Sequence, residues 1–203
     1  MNYRVEVLER HGAHRGYFAI DRYRLRFELY GGGYSEPLWR ECFERGRAVA
    51  VLPFDPVADR VVLVEQFRVG ALASGAARPW LWEVVAGIVE PGESDIEVAH
   101  RESLEEAGLA LFDLAPIGQY YVSPGGSSER VSLFCARVDA ASGVALGGVA
   151  GENEDIRVLA VDRREAMAWL DRGEICVAPA VIALQWLALH RLELLDRWGL
   201  VRG

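Results

Sequence analysis

Apolar and polar residues alternate from Tyr17 to Leu29 (YFAIDRYRLRFEL), the pattern of a half-buried antiparallel strand. The triplet Gly31-Gly32-Gly33 ends that pattern, and the segment Pro37–Gly46 follows it. Two apolar runs, Ala48–Leu52 and Val61–Glu65, then read as strands joined by the turn residues from Phe54 to Asp59. Strand patterning recurs around 81–86, 115–122, 130–137 and 156–161, and helical spacing covers about 95–107, 163–172 and 178–197. Strands and helices in this order predict an α+β fold rather than a regular βαβ repeat. The break in pattern places a small N-terminal antiparallel β domain at 1–47 and the main domain at 48–203. There are no internal repeats and no low-complexity tracts.

Two helices carry further signals. Ser94-Asp95-Ile96-Glu97 reads as a capping box, and Gly108 stands where a left-handed C-terminal cap belongs. Val181, Ile182, Leu184, Trp186, Leu187, Leu189, Leu192 and Leu195 make the last helix apolar around most of its circumference. That predicts core packing, with a subunit interface as an addition.

Composition narrows the function classes. With 51% apolar and 26% charged residues, the 203-residue chain is globular in composition. No apolar run approaches the roughly 18 residues of a membrane span, and the N-terminal stretch has no signal-peptide core, so the reading is cytoplasmic with no membrane partner. A formal net charge of −8 argues against nucleic acid as a partner. Cys42, Cys135 and Cys176 are widely spaced with no CxxC, which predicts buried free thiols rather than disulfides or a zinc site.

The candidate chemistry lies in the run Gly87–Leu109 (GIVEPGESDIEVAHRESLEEAGL). Asp95 and Glu97 in the first turn favour the helix dipole. Glu102, Glu105 and Glu106 lie further on, at i, i+3 and i+4 of one helical face, where like charges repel. A divalent cation resolves that repulsion, because carboxylates completed by water and substrate phosphate are how Mg²⁺ is held.

This segment resembles the Nudix box. Gly87 is followed after five residues by Glu93, and after seven more by Arg101-Glu102-Ser103-Leu104-Glu105-Glu106-Ala107-Gly108-Leu109. Ser103 departs from the aliphatic residue the family prefers. Ser123–Glu129 (SPGGSSE), with Pro124 sixteen residues past Gly108, resembles the ADP-ribose pyrophosphatase branch. Ala150–Ile156 (AGENEDI), FERG at Phe43–Gly46, EQFR at Glu65–Arg68 and the C-terminal VIALQWLALH extend the resemblance over nearly the whole chain.

The resemblance implies a Nudix fold, an α/β/α sandwich with a mixed sheet, preceded by the small β domain. It implies Mg²⁺, with Mn²⁺ as a substitute and two or three ions per site. Glu102 and Glu106 with the Ala86 carbonyl would be the ligands, Glu105 would serve a second ion, and Glu154 would be added when substrate is bound. Glu152 would be the general base, while Arg101 and Glu93 would form a structural ion pair. Substrate contacts would come from Tyr17, Phe18, Arg40, Glu41, Arg45, Arg68, Ile88, Ser123, Gly125 and Glu129. Among these, Arg68 would reach the pyrophosphate, and Arg40 with Tyr17 would hold the adenine. Relatives in this branch are domain-swapped homodimers in which the aromatic segment comes from the partner. The implied activity is hydrolysis of ADP-ribose to AMP and ribose 5-phosphate. The alternatives are another nucleoside diphosphate sugar such as GDP-mannose, or a non-hydrolytic ADP-ribose sensor.

Overall fold

A computed structural model of the chain describes residues 3–149, 151 and 154–200. It divides into two compact units. The first comprises Met1–Arg47 together with Tyr121–Arg130, and the second Ala48–Tyr120 with Val131–Gly203. The segment Tyr121–Arg130 therefore packs with the N-terminal part of the chain.

The first unit is an antiparallel sheet in the order β1 (Val5–Arg15), β2 (Ala19–Phe27), β3 (Leu38–Glu44). Its register is written in charge. Glu9 pairs with Arg24 and Glu6 with Arg26 across β1 and β2, and Arg22 with Glu41 across β2 and β3. Each of these pairs also forms an ion pair, at 2.7, 2.7 and 3.6 Å. Opposite charges directly across a ladder stabilise that register over its neighbours. Asp21, on the other face of β2, is buried and takes Arg10 at 2.8 Å and also Arg15. The alternation seen at Tyr17–Leu29 thus corresponds to β2. β1 is hidden from such a pattern because register shifts between Val7 and Glu9 and between Gly12 and His14 break its period of two.

The second unit is built on one sheet in the order β10 (Leu146–Gly147), β11 (Ile156–Asp162), β5 (Arg60–Phe67), β4 (Arg47–Asp55), β9 (Arg130–Arg137), β8 (Asp113–Tyr121). Beside this path, β6 (Trp80–Glu83) pairs with β5 and β7 (Val85–Ile88) with β4. The strand expected at 81–86 is thus two strands meeting at Val84, each on a different neighbour. A short helix, α1 (Val69–Ala73), follows β5.

β4 and β5 are apolar on both faces, as a central strand covered on both sides must be. Ala50, Leu52, Phe54, Val61 and Leu63 face a core completed by α3 (Arg163–Asp171) and α4 (Ala178–Arg197). Val49, Val51, Val62 and Val64 face the opposite core, completed by Val98, Ala99 and Ala107 of α2 (Asp95–Ala107). Helices on both faces of one sheet make the α/β/α sandwich. Asp59 holds the turn between β4 and β5 in a left-handed conformation (φ 52°). Its carboxylate accepts a fork from Arg163 at 3.0 and 3.1 Å and a bond from Arg191 at 3.1 Å, which ties that turn to α3 and α4.

In α4, Ala180, Ala183, Leu184, Leu187 and Leu194 are buried, while Leu189 and Leu192 face outward. Of the cysteines only Cys135 is buried, and burial pushes its thiol up; Cys42 is half-buried and Cys176 exposed. Among the described residues no helix is long and apolar enough to cross a membrane.

Candidate active site

α2 is held at both ends by the devices its sequence encodes. The Ser94 hydroxyl accepts from the Glu97 amide at 3.3 Å, and the Glu97 carboxylate accepts from the Ser94 amide at 2.8 Å. At the other end Gly108 is left-handed (φ 65°), and the amides of Gly108 and Leu109 donate to the carbonyls of Leu104 and Ser103. This fixes which carboxylates turn toward the sheet. Glu106 is only 3% exposed, Glu102 is half-buried and Glu105 points out.

Glu106 enters the space beside β7. Its carboxylate accepts from the Ala86 amide at 3.1 Å, with the buried Gln66 amide nitrogen at 3.5 Å. Burial pushes its carboxyl up to about 8, and the negative charges of Glu102 and Glu154 add to that rise. Burial also raises Glu102, again with Glu105 and Glu154 contributing and Arg101 opposing. Glu154 accepts from the Val149 amide at 3.2 Å. Three carboxylates therefore share one electrostatic neighbourhood.

Gly87 makes room for that gathering. A Cβ at Gly87 would lie 1.8 Å from a carboxylate oxygen of Glu102. Only glycine lets this carboxylate come so close to the β7 backbone.

Arg101 organises the rim. It forks onto Glu93 at 3.0 and 3.1 Å, which is the structural ion pair expected of these two residues. The same guanidinium also donates to Glu102 at 2.7 Å, to Glu105 at 3.1 Å and to the Ile88 carbonyl at 3.4 Å. Arg68 forks onto the buried Glu83 at 2.8 and 2.9 Å. The charges of Glu106 and Glu154 also reach Arg68.

Among the described residues no group of three or more His, Cys, Asp or Glu side chains is already arranged to hold a metal ion. Arg101 is here the counter-charge of Glu102 and Glu105, at 2.7 and 3.1 Å. The donor set nevertheless fits a hard divalent cation: all the ligating atoms on offer are oxygens, two of the carboxylates are raised by burial and mutual repulsion, and Gly87 leaves space for one of them.

The expected substrate residues of the first unit fall into two groups. Phe18 packs edge-on against Phe43 at 5.0 Å, and the Arg45 guanidinium lies 4.5 Å over the Phe18 ring and 3.4 Å from Glu129. The loop carrying Ser123 and Gly125 joins this group, since Phe43 donates its amide to Gly126 at 2.8 Å and the Ser123 carbonyl accepts from Gly126 and Ser127. Arg40 and Glu41 lie elsewhere on β3. Arg40 stands opposite Tyr23, whereas Ala19, the first residue of β2, stands opposite Glu44. Tyr17 precedes that end of the ladder, 88% exposed, with its ring against Phe18 at 4.8 Å. Four ladder steps, roughly 13 Å along the strand, separate the Arg40 backbone from the end of the ladder that Tyr17 precedes. Glu152 lies outside the described residues. Gln66 and Glu83 were not anticipated; a polar residue at the end of an otherwise apolar strand, as in VVLVEQF and WLWE, is the signal that marks them.

Residues 44–199 match the NUDIX domain. The chain is 48% identical to the ADP-ribose pyrophosphatase of Escherichia coli, over 96% of this chain and 93% of that protein. It is 41% identical to the ADP-ribose pyrophosphatase of Haemophilus influenzae, over 96% and 90%. The GDP-mannose pyrophosphatase of an Enterobacter species is 34% identical over 75% and 79%. The crystal structure of an ADP compounds hydrolase superposes with a TM-score of 0.70 at 23% identity, covering 98% of this chain and 97% of that one, which shows the shared fold.

Proposed function

The chain belongs to the NUDIX family of hydrolases, and on that premise we propose that it hydrolyses the diphosphate of ADP-ribose to AMP and ribose 5-phosphate with the help of Mg²⁺. The observation that carries this reading is the carboxylate face of α2, where Glu106 is buried beside β7 and Glu102 lies against Gly87. The ADP-ribose pyrophosphatases resemble the chain more closely, and over more of its length, than the GDP-mannose pyrophosphatase does.

In this reading Glu102, Glu106 and the Ala86 carbonyl hold the cation, with Glu105 and Glu154 available to further ions. Bound there, a divalent cation offsets the diphosphate charge and lowers the pKa of water. The chain's own residues do the rest. The Ala86 amide steadies Glu106, and the Arg101–Glu93 fork fixes the loop before α2. Arg68, anchored on Glu83, presents a guanidinium suited to phosphate oxygens. Glu152 takes the proton of the attacking water. Tyr17, Phe18, Arg40, Glu41, Arg45, Ile88, Ser123, Gly125 and Glu129 contact the nucleotide. A homodimer in which the partner supplies the aromatic segment fits the separation of Tyr17 from Arg40 within one chain.

Purified protein with Mg²⁺ and equal concentrations of ADP-ribose and GDP-mannose, with products read by mass, tests the proposal. AMP and ribose 5-phosphate should dominate. GMP as the main product would transfer the reading to the other sugar nucleotide, and the absence of both AMP and GMP would refute hydrolysis of either. Glu152→Gln should lower kcat at least about a hundredfold, in the range of general-base loss, while Mn²⁺ binding by titration stays intact. Full activity would remove Glu152 from its role.

A further inference from the structure

The last turn of α2 carries Glu105 and Glu106, and a segment far along the chain closes onto it. The Val144 amide donates to the Ala107 carbonyl at 3.0 Å and the Gly148 amide to the Glu105 carbonyl at 3.1 Å. These are carbonyls that a helix end leaves without internal partners. Between the two bonds, Gly147 lies so near the helix that a Cβ there would be 1.8 Å from the carbonyl oxygen of Glu106 and 2.6 Å from its carbonyl carbon. Both are backbone atoms, so no side-chain rotation relieves the clash. Gly143 meets the same turn less tightly, at 3.3 Å from the Ala107 carbonyl oxygen.

The other side of this segment is held as well. Leu146 and Gly147 pair with Arg157 and Ile156 of β11, and the Ala145 carbonyl accepts from Val158 at 3.0 Å. Glu154 depends on it directly. Its carboxylate accepts from the Val149 amide, and Gly148, at φ 95°, passes so close that a Cβ would be 2.8 Å from the Cβ of Glu154.

We infer that Gly147 is a positioning residue: by letting the segment Gly143–Val149 latch onto the C-terminal turn of α2, it sets the Glu154 carboxylate in register with Glu102 and Glu106. This deepens the proposed function and rests on it where turnover is the readout. A methyl group on Gly147 would fall roughly 1.5 Å short of van der Waals contact, so the strand or the helix end must move. A shift of about 1 Å in a group that orders the reaction is worth up to about a hundredfold in rate.

The test compares Gly147→Ala with the wild type and with Gly118→Ala, whose Cβ meets nothing within 4 Å. Steady-state kinetics with ADP-ribose and Mg²⁺, Mn²⁺ titration with and without a non-hydrolysable ADP-ribose analogue, and thermal unfolding are measured for all three. Gly147→Ala should lower kcat about tenfold or more with KM changed by less than about twofold, weaken Mn²⁺ binding by about fivefold or more, and still unfold cooperatively; Gly118→Ala should match the wild type in kinetics and Mn²⁺ affinity. A folded Gly147→Ala with wild-type kcat and Mn²⁺ affinity overturns the inference, even if it unfolds at a lower temperature. If Gly147→Ala does not fold, Gly143→Ala decides: a smaller fall in kcat and Mn²⁺ affinity supports the latch, and wild-type values for both overturn it. If the wild type itself leaves ADP-ribose intact, the substrate reading fails and the Mn²⁺ titration alone decides the role of Gly147.

Discussion

Gly87 and Gly147 meet their neighbours in opposite ways, and the contrast is testable. A Cβ at Gly87 strikes the carboxylate of Glu102, the movable end of a long side chain. Gly87→Ala should therefore leave the unfolding midpoint nearly unchanged, because Glu102 can rotate away. It should still lower kcat by about tenfold or more, since the rotated carboxylate leaves its place beside β7. An active Gly87→Ala enzyme would show that the place of this carboxylate beside β7 has no bearing on turnover. Glu106 differs again. Its raised carboxyl follows from burial first and from like charges second, a balance visible only once α2 is docked on the sheet. In the sequence it is one glutamate among several.

At the scale of elements, α2 was the most legible part of the chain. Its capping box and its left-handed Gly108 are local, and both form as their residues dictate. Ser94→Ala should lower stability by about 1 kcal/mol, the usual worth of an N-cap, measurable from denaturant midpoints, with kcat little changed. β1 was the least legible because its two register shifts erase the alternation that would announce it. Its hold on the sheet comes from charge. The ion pairs from Arg15 and Arg10 keep the Asp21 carboxyl below the usual aspartate range. A carboxyl lowered on folding stabilises above its unfolded value and loses that contribution as pH falls through its folded value. Wild type should thus exceed Asp21→Asn in unfolding midpoint at pH 7, with the gap closing as the solution is acidified below about pH 4. A gap independent of pH would assign the loss to packing.

For the whole molecule, the division into two units matters most. Tyr121–Arg130 belongs to the first unit although it connects two strands of the second sheet. A boundary read from pattern alone, at residue 47, has no means of seeing an excursion that returns to an earlier domain. Exposed Tyr17, Val5 and Val7 lie in the first unit, as does the Arg40 from which Tyr17 is separated. The proposed homodimer should sediment at twice the chain mass of 22.5 kDa, and a monomer at micromolar concentration that retains full activity would refute a shared site.

What the sequence determined by itself was whatever depends on near neighbours in the chain. The caps of α2, the doubly apolar β4 and β5, and the acidic spacing of Glu102, Glu105 and Glu106 belong to that class, because helix and strand periods turn spacing directly into faces. Tertiary structure alone decided which carboxylate is buried, that Arg101 binds Glu102 and Glu105 as well as Glu93, and that Arg68 rests on Glu83. It also decided that Gly147 lies against Glu106. These contacts join residues up to 41 positions apart, and their energies arise only when the sheet brings such segments together and removes the water between them.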